Sequence, residues 1–367
     1  MPTLIQLIKS LPDKDWDWDA LSANPNIIMA DVMANPDLLW DWVQISTSTN
    51  ITWADVLENP DKSWKWDWDR LYLNHNITMA DMVAHPDQPW NQNCDRLSKN
   101  PNITLAYVVA HPDKPWDWGR ISQNPNITMA DVVANPDKPW DWWHVSSHHN
   151  ITMADVVAHP DKPWDWERLS KNPNITMADV VAHPDKPWAW EILSSNPNIT
   201  MADVVAHPDQ RWDWEILSRN PSITMADVVA HPDKPWDWGH GLSKNPSITM
   251  ADVMAHPDNR WRWGLLSKNP GITMADVLAH PDKPWNWFML SRNPSITMAD
   301  VLAHPDQPWK WRELSEHKFG FNNTLDYYAR RRVQTVKQTR VFWEELMAVV
   351  WRPGGSMVQY YWEDPDI

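Results

Sequence analysis

The chain is governed by a 24-residue period punctuated by proline. Trp164, Trp188 and Trp212 each open a "PWDW"-like pair, one period apart. The same step runs from Trp16, Trp40, Trp66, Trp90, Trp116 and Trp140 to Trp236, Trp261, Trp285 and Trp309. Two extra residues lie in "DKSWKWDWDR", two in "WNQNCDRLS" and one in "WDWGHGLS". A fixed period of this length marks a solenoid, in which each unit packs only on its neighbours. It predicts an all-α solenoid, a superhelix of about thirteen units of two short helices.

The unit "NPNITMADVVAHPDKPWAWEILSS" shows how the pattern sets local structure; Asn172 is its position 1. Thr176 at position 5 is placed to cap a helix, with Asp179 three residues on completing a capping box. Ile175 and Val180 have the spacing of a hydrophobic staple. The first helix therefore runs from Met177 to about His183, and Pro184 ends it. Asp185 is read as the cap of a second helix, with Lys186 and Pro187 in its first turn and "WAWEILS" as its body. Whether that helix is α or 3₁₀ is left open. Helices of two turns are unstable alone, so stacking must supply the stability.

Tryptophan supplies the apolar mass. There are 31 Trp against 4 Phe and 6 Tyr, a bias that comes from multiplying one motif. Two Trp two residues apart point in different directions, so one packs within its repeat and the other against the next. Each buries about 200 Å². The core reading is preferred to a carbohydrate-binding Trp ladder. The second Trp is missing only after Trp90, near the single cysteine, Cys94; a weak point or bend is expected there.

Other recurrent residues have structural readings. His at position 12 alternates with Asn35, Asn59 and Asn135, which suits a helix C-cap better than a metal ladder, because stacked layers lie about 10 Å apart. That row is also the expected seat of any pH-dependent stability. Asn at positions 1 and 3 is expected to bond backbone between units. The "NIT" sequons, among them Asn50, Asn150 and Asn198, follow from that role. Asp at positions 8 and 14 sits at predicted helix starts. No unlike set of catalytic groups stands out, so the chain is read as a non-enzyme without metal or cofactor.

A formal charge of −16 argues against nonspecific nucleic-acid binding. The first residues, "MPTLIQLIKSLPDKDW", lack the apolar run of a signal peptide, and no stretch reaches a membrane-spanning length. A protein that is neither secreted nor membrane-bound is expected.

The expected divisions are an N-terminal capping helix (1–15), the repeats (16–315), and a degenerate repeat with a helical cap or docking segment (316–367). The tail carries Arg330, Arg331 and Arg332, then the amphipathic "VFWEELMAVVW" ending at Trp351. It is expected to shield the last repeat's apolar face. The stack would reach roughly 110–130 Å if straight.

Over residues 16 to 315 the units "NPNITMADVVAHPDKPWDW..LS" resemble the Trp-rich tandem repeats encoded by giant DNA viruses of amoebae. The tail "FWEELMAVVWRPGG" is similar to a C-terminal segment on proteins of those viruses, with Arg352 in place of an expected His. The unit is also similar to the leucine-rich repeat variant, which implies a right-handed solenoid with a 3₁₀ second helix. Neither resemblance implies a defined activity.

The sequence thus leads to a noncatalytic scaffold for protein partners, acting in infected-host cytoplasm or, alternatively, as a component of the virus particle. Variation concentrates at positions 18, 20, 21 and 24 of the second helix. The candidate partner contacts are Trp143, His144, Phe288 and Met289 there, and Arg330, Arg331, Arg332 and Trp351 in the tail.

Overall fold

The computed structural model describes residues 3–59, 66–71, 74, 76–85, 97–98, 100 and 102–319. All lie in one compact unit, Met1–Gly320. Every regular element among them is helical, as the period requires.

The first helix forms as its capping pattern predicts. In the helix Met177–Ala182, the backbone N–H and Oγ1–H of Thr176 donate to Asp179 Oδ2 at 2.8 and 2.7 Å, and Asp179 N–H returns a bond to Thr176 Oγ1 at 3.4 Å. Ile175, Met177 and Val180 are buried. Asn35, Asn59 and Asn135 donate their side-chain amides to the carbonyl four residues back, at 2.6 to 3.0 Å. His111 Nδ1 meets Tyr107 O at 2.8 Å in the same way. The C-cap reading of position 12 holds at these residues.

The second helix starts later than expected. "HPDKP" is a turn, not a cap and first helical turn. Lys186 N–H donates to His183 O at 3.2 Å, and Trp188 Nε1–H donates to the same carbonyl at 2.9 Å. Two donors converging on one oxygen draw the chain into a corner and pin the first Trp outside the helix. The helix then spans only Trp190–Leu193. Its cap is position 18: Asp165 Oδ1, for example, accepts Arg168 N–H at 2.9 Å. Asp185 instead pairs with Lys186 Nζ at 3.0 Å on the surface. Most second helices are α, and Leu242–Lys244 is 3₁₀.

Three ladders join successive repeats. Among the described residues, the second Trp of a unit sets its edge on the first Trp of the next. Ring centroids lie 5.0–5.3 Å apart at nearly perpendicular planes, from Trp18–Trp40 to Trp287–Trp309. A fully buried Ser at position 23 accepts the N–H of position 18 in the next unit, as in Ala189 N–H to Ser170 Oγ at 3.0 Å. The same hydroxyl typically donates to its own second Trp's carbonyl, as Ser170 Oγ does to Trp166 O at 2.7 Å. The buried Asn at position 1 spreads its amide over the preceding unit: Asn196 Nδ2 donates to Ser170 O, Asn172 O and Ile175 O at 3.0–3.1 Å.

These ladders do not end at the last repeat. Trp311 sets its edge on Trp16 at 5.1 Å. Asp17 N–H donates to Ser315 Oγ at 3.0 Å. Asn24 Nδ2 donates to Ser315 O and His317 O at 2.8 and 3.1 Å. The helix Trp18–Ala23 packs on Trp311–Glu316, and Leu4–Ser10 packs on Met298–Ala303. An ion pair, Arg312 Nε to Asp17 Oδ2 at 3.1 Å, reinforces the join.

The solenoid therefore closes on itself. The open, elongated stack expected from the period is replaced by a ring in which the first repeat covers the end face of the last. The tail, expected from the sequence to shield that face, lies outside the described residues. Leu4–Ser10, read from the sequence as a cap, sits where a first helix would, with its own capping box from Thr3 and Gln6. Most of the closest helix approaches are between second helices. The shorter circumference is the inner one, so these helices form the inner wall.

Candidate partner-binding surface

Most polar groups of the repeat are already committed. The indole N–H of the first Trp bonds the position-12 carbonyl from Trp16 to Trp309 wherever it is described, with Trp66 the exception. First Trps are mostly buried and second Trps half-buried. Position-3 amides donate to the previous repeat, as in Asn150 Nδ2 to Ile127 O at 2.7 Å. The sequon asparagines are thus structural donors. What remains for recognition lies at the exposed positions of each helix.

Trp143 is the only Trp among the described residues that reaches substantial exposure, 45 %. It occupies position 20, on the inner wall. Arg168, from the next repeat, lays its guanidinium 3.6 Å from the Trp143 ring, and Trp143 packs edge-on to His144 at 4.5 Å. His144 Nδ1 is held 2.8 Å from Asp141 Oδ2. Trp143 and His144 therefore form a single pre-set patch: an aromatic face with a stacked cation, anchored on a helix cap.

Phe288 is the counterpart in a later repeat, 38 % exposed. Arg292 lies 5.0 Å from its ring and also pairs with Glu313, a buried carboxylate of the last full unit. Met289 is half-buried, and its N–H caps on Asn286 at 3.2 Å. Phe288 and Met289 are brought together near the seam, several repeats from Trp143. Arg330, Arg331, Arg332 and Trp351 lie outside the described residues, as do Trp90 and Cys94.

Two features escaped the sequence reading. The Ser ladder was overlooked because serine reads as a surface residue. Its recurrence behind a Leu or Ile in "LS" was the available signal. The second is a row of exposed apolar side chains at position 10 of the first helix, including Met33, Leu57, Val133, Val181 (53 %) and Leu278. One residue after the buried position 9, a helix turns these side chains about 100° away from the core.

Among the described residues, no helix is long and apolar enough to cross a membrane. No group of three or more His, Cys, Asp or Glu there is placed to hold a metal ion. No protein-family model, curated protein or solved structure matches the chain.

Proposed function

We propose that the protein is a noncatalytic, ring-shaped scaffold that binds protein partners through the exposed positions of its second helices. The observation that carries this is Trp143. Every other described Trp is drawn into the walls of the ring, whereas this one is exposed and braced by Arg168. Rigid aromatics with a stacked Arg are the commonest anchors of protein interfaces. Phe288 with Arg292 is the second anchor of the same kind, and the basic tail is a further docking segment in this reading.

In this reading, supported by the resemblance of the repeats, the protein is one of giant viruses of amoebae and works in the cytoplasm of the infected cell. Membranes and nucleic acids are not its partners in this reading, and it needs no cofactor. A role as a component of the virus particle is favoured by one observation, the apolar position-10 row, which a packed assembly would cover. A carbohydrate-binding Trp ladder is disfavoured, because first-Trp indoles are mostly buried with their N–H groups bonded within the repeat.

A photo-crosslinking side chain at position 143 tests the reading in infected cells. A discrete protein adduct is expected, lost in competition with unlabelled protein but not with its Trp143→Ala variant. Equal competition by that variant would remove Trp143 as an anchor. High copy number in purified particles would favour the structural role.

A further inference from the structure

One place in the ring breaks the repeat on both sides of a layer boundary. The unit beginning at Trp236 carries one extra residue and reads "WDWGHGLS"; the next reads "HPDNRWRW" where the units of Trp116, Trp164 and Trp236 have "HPDKPWDW". Gly239 and Gly241 thus face a repeat in which Arg260 replaces the corner proline and Arg262 replaces the capping aspartate. The two departures enclose a surface cavity of about 540 Å³, lined by Trp236, Trp238, His240, Asp258, Arg260 and Arg262, among others.

The cavity exists because side chains are missing from it. A Cβ on Gly239 would sit in ordinary van der Waals contact, 3.5 Å from Arg262 Nε and from Asp237 Oδ1, so a side chain there would reach into the cavity beside Arg262 without a clash at its Cβ. A Cβ on Gly241 would fall 2.3 Å from Ser218 Cβ and 2.7 Å from Asp237 O, so glycine is required for the looped segment to lie against the preceding layer. Arg262 has extended backbone angles. With Trp261 buried between them, Arg260 and Arg262 project to the same side.

The charges are arranged for an anion. Asp237 spends its carboxylate on its own loop, accepting from Gly239 N–H, His240 N–H and Gly241 N–H at 2.9–3.1 Å. Among the described residues, no ion pair or side-chain hydrogen bond engages Arg260. Arg262 Nη1 donates to His240 Nε2 at 2.5 Å, which holds the guanidinium over the cavity without neutralising it. Two carboxylates also line the cavity, Asp237, whose oxygens are turned onto the loop N–H groups, and Asp258. In other repeats its counterpart pairs with the following Lys, as Asp185 does with Lys186; here that position is Asn259.

We propose that this cavity binds a phosphate monoester. A single carboxylate is satisfied by one guanidinium fork, whereas two forks, with one Arg262 N–H given to His240, still leave nine N–H donors, a supply that suits the three oxygens and double charge of a phosphate group. Trp236 and Trp238 line the cavity wall where the organic part of the ester would lie. The site is local; the net charge of −16 still opposes polyanions such as nucleic acid.

The test follows the arginine Nε–H resonances by NMR while phenyl phosphate is titrated into the full chain at constant ionic strength, with inorganic phosphate and acetate as parallel titrations. Saturable shifts at Arg260 and Arg262 are expected with both phosphates, at on the order of millimolar concentration for so open a site. Arg260→Gln and Arg262→Gln should each weaken binding at least about tenfold, the loss of one charge-assisted pair. Gly239→Leu should fill the cavity and abolish binding with the melting temperature retained, and Asp258→Asn should tighten it. Shifts of equal size with acetate, binding unchanged in the double glutamine variant, or no saturable shift at either arginine would each overturn the assignment.

Discussion

Ser315 Oγ accepts the amide hydrogen of Asp17 at 3.0 Å, across 298 residues of sequence. The same bond joins Ser194 to Asp213 at 2.9 Å between adjacent repeats. One stereochemical rule therefore serves both the interior of the solenoid and its closure.

That equivalence makes a direct prediction. Ser194→Ala leaves a buried N–H without its acceptor and should cost about 1–3 kcal/mol. Ser315→Ala should cost a similar amount, because the seam is buried like any other layer boundary. Denaturant unfolding measures both. A near-zero cost at Ser315 alone would mean that the seam is open in solution.

Three second helices of the C-terminal half lack a side-chain cap. Position 18 is Ala189, Arg262 and Lys310 in three units, and none of them caps its helix with a side-chain bond. Ala189→Asp should restore the bond that Asp165 makes to Arg168 N–H and stabilise the ring by about 0.5–2 kcal/mol. An unchanged or lowered melting temperature would show that the backbone at position 189 differs from that of its neighbours. Lys310→Asp is a poorer test, since it also alters charge beside the Arg312–Asp17 pair.

Acid should loosen the ring at two places. His148 and His317 stand at position 1, where most units have the buried Asn. His317 Nε2 lies 2.7 Å from Asn293 O, and its Nδ1 accepts Phe319 N–H at 2.8 Å. His148 Nδ1 lies 3.3 Å from Ile127 O, and its buried Nε2 has no partner. Burial lowers the pKa of both below the ordinary 6.5. The unfolded chain then binds protons that the folded chain refuses, so stability rises with pH through this window. Stability should be full above about pH 6.5 and should fall as the pH drops below it. His148→Asn with His317→Asn should flatten the profile of the denaturant midpoint between pH 5 and 7. An equally steep profile in the double variant would place the titrating groups elsewhere.

Much of this was legible in one repeat. Thr176 and Asp179 announce the first helix because a capping box is a local device that needs only its own four residues. The late start of the second helix was not legible. "PDKP" satisfies every local rule for a helix start, and what overrides it is the Trp188 indole reaching back to the His183 carbonyl, a contact only the folded corner provides. Trp143 could be singled out by its departure from the repeat, but its bracing by Arg168 could not, because that residue belongs to another layer. Closure was the least legible. It depends on a small rotation between layers, summed over the whole array, and no single unit reveals whether that sum returns Trp311 to Trp16.

The ring is therefore tested most directly by one distance. Spin labels at Asp19→Cys and Glu316→Cys, in a Cys94→Ser background, sit on the first and last repeats at exposed positions of the second helices. Closure predicts a single narrow distance below about 25 Å, the reach of two labels across one layer of about 10 Å. An open stack of the same repeats would separate them by roughly 110 Å, and the absence of any short-distance population would contradict the ring.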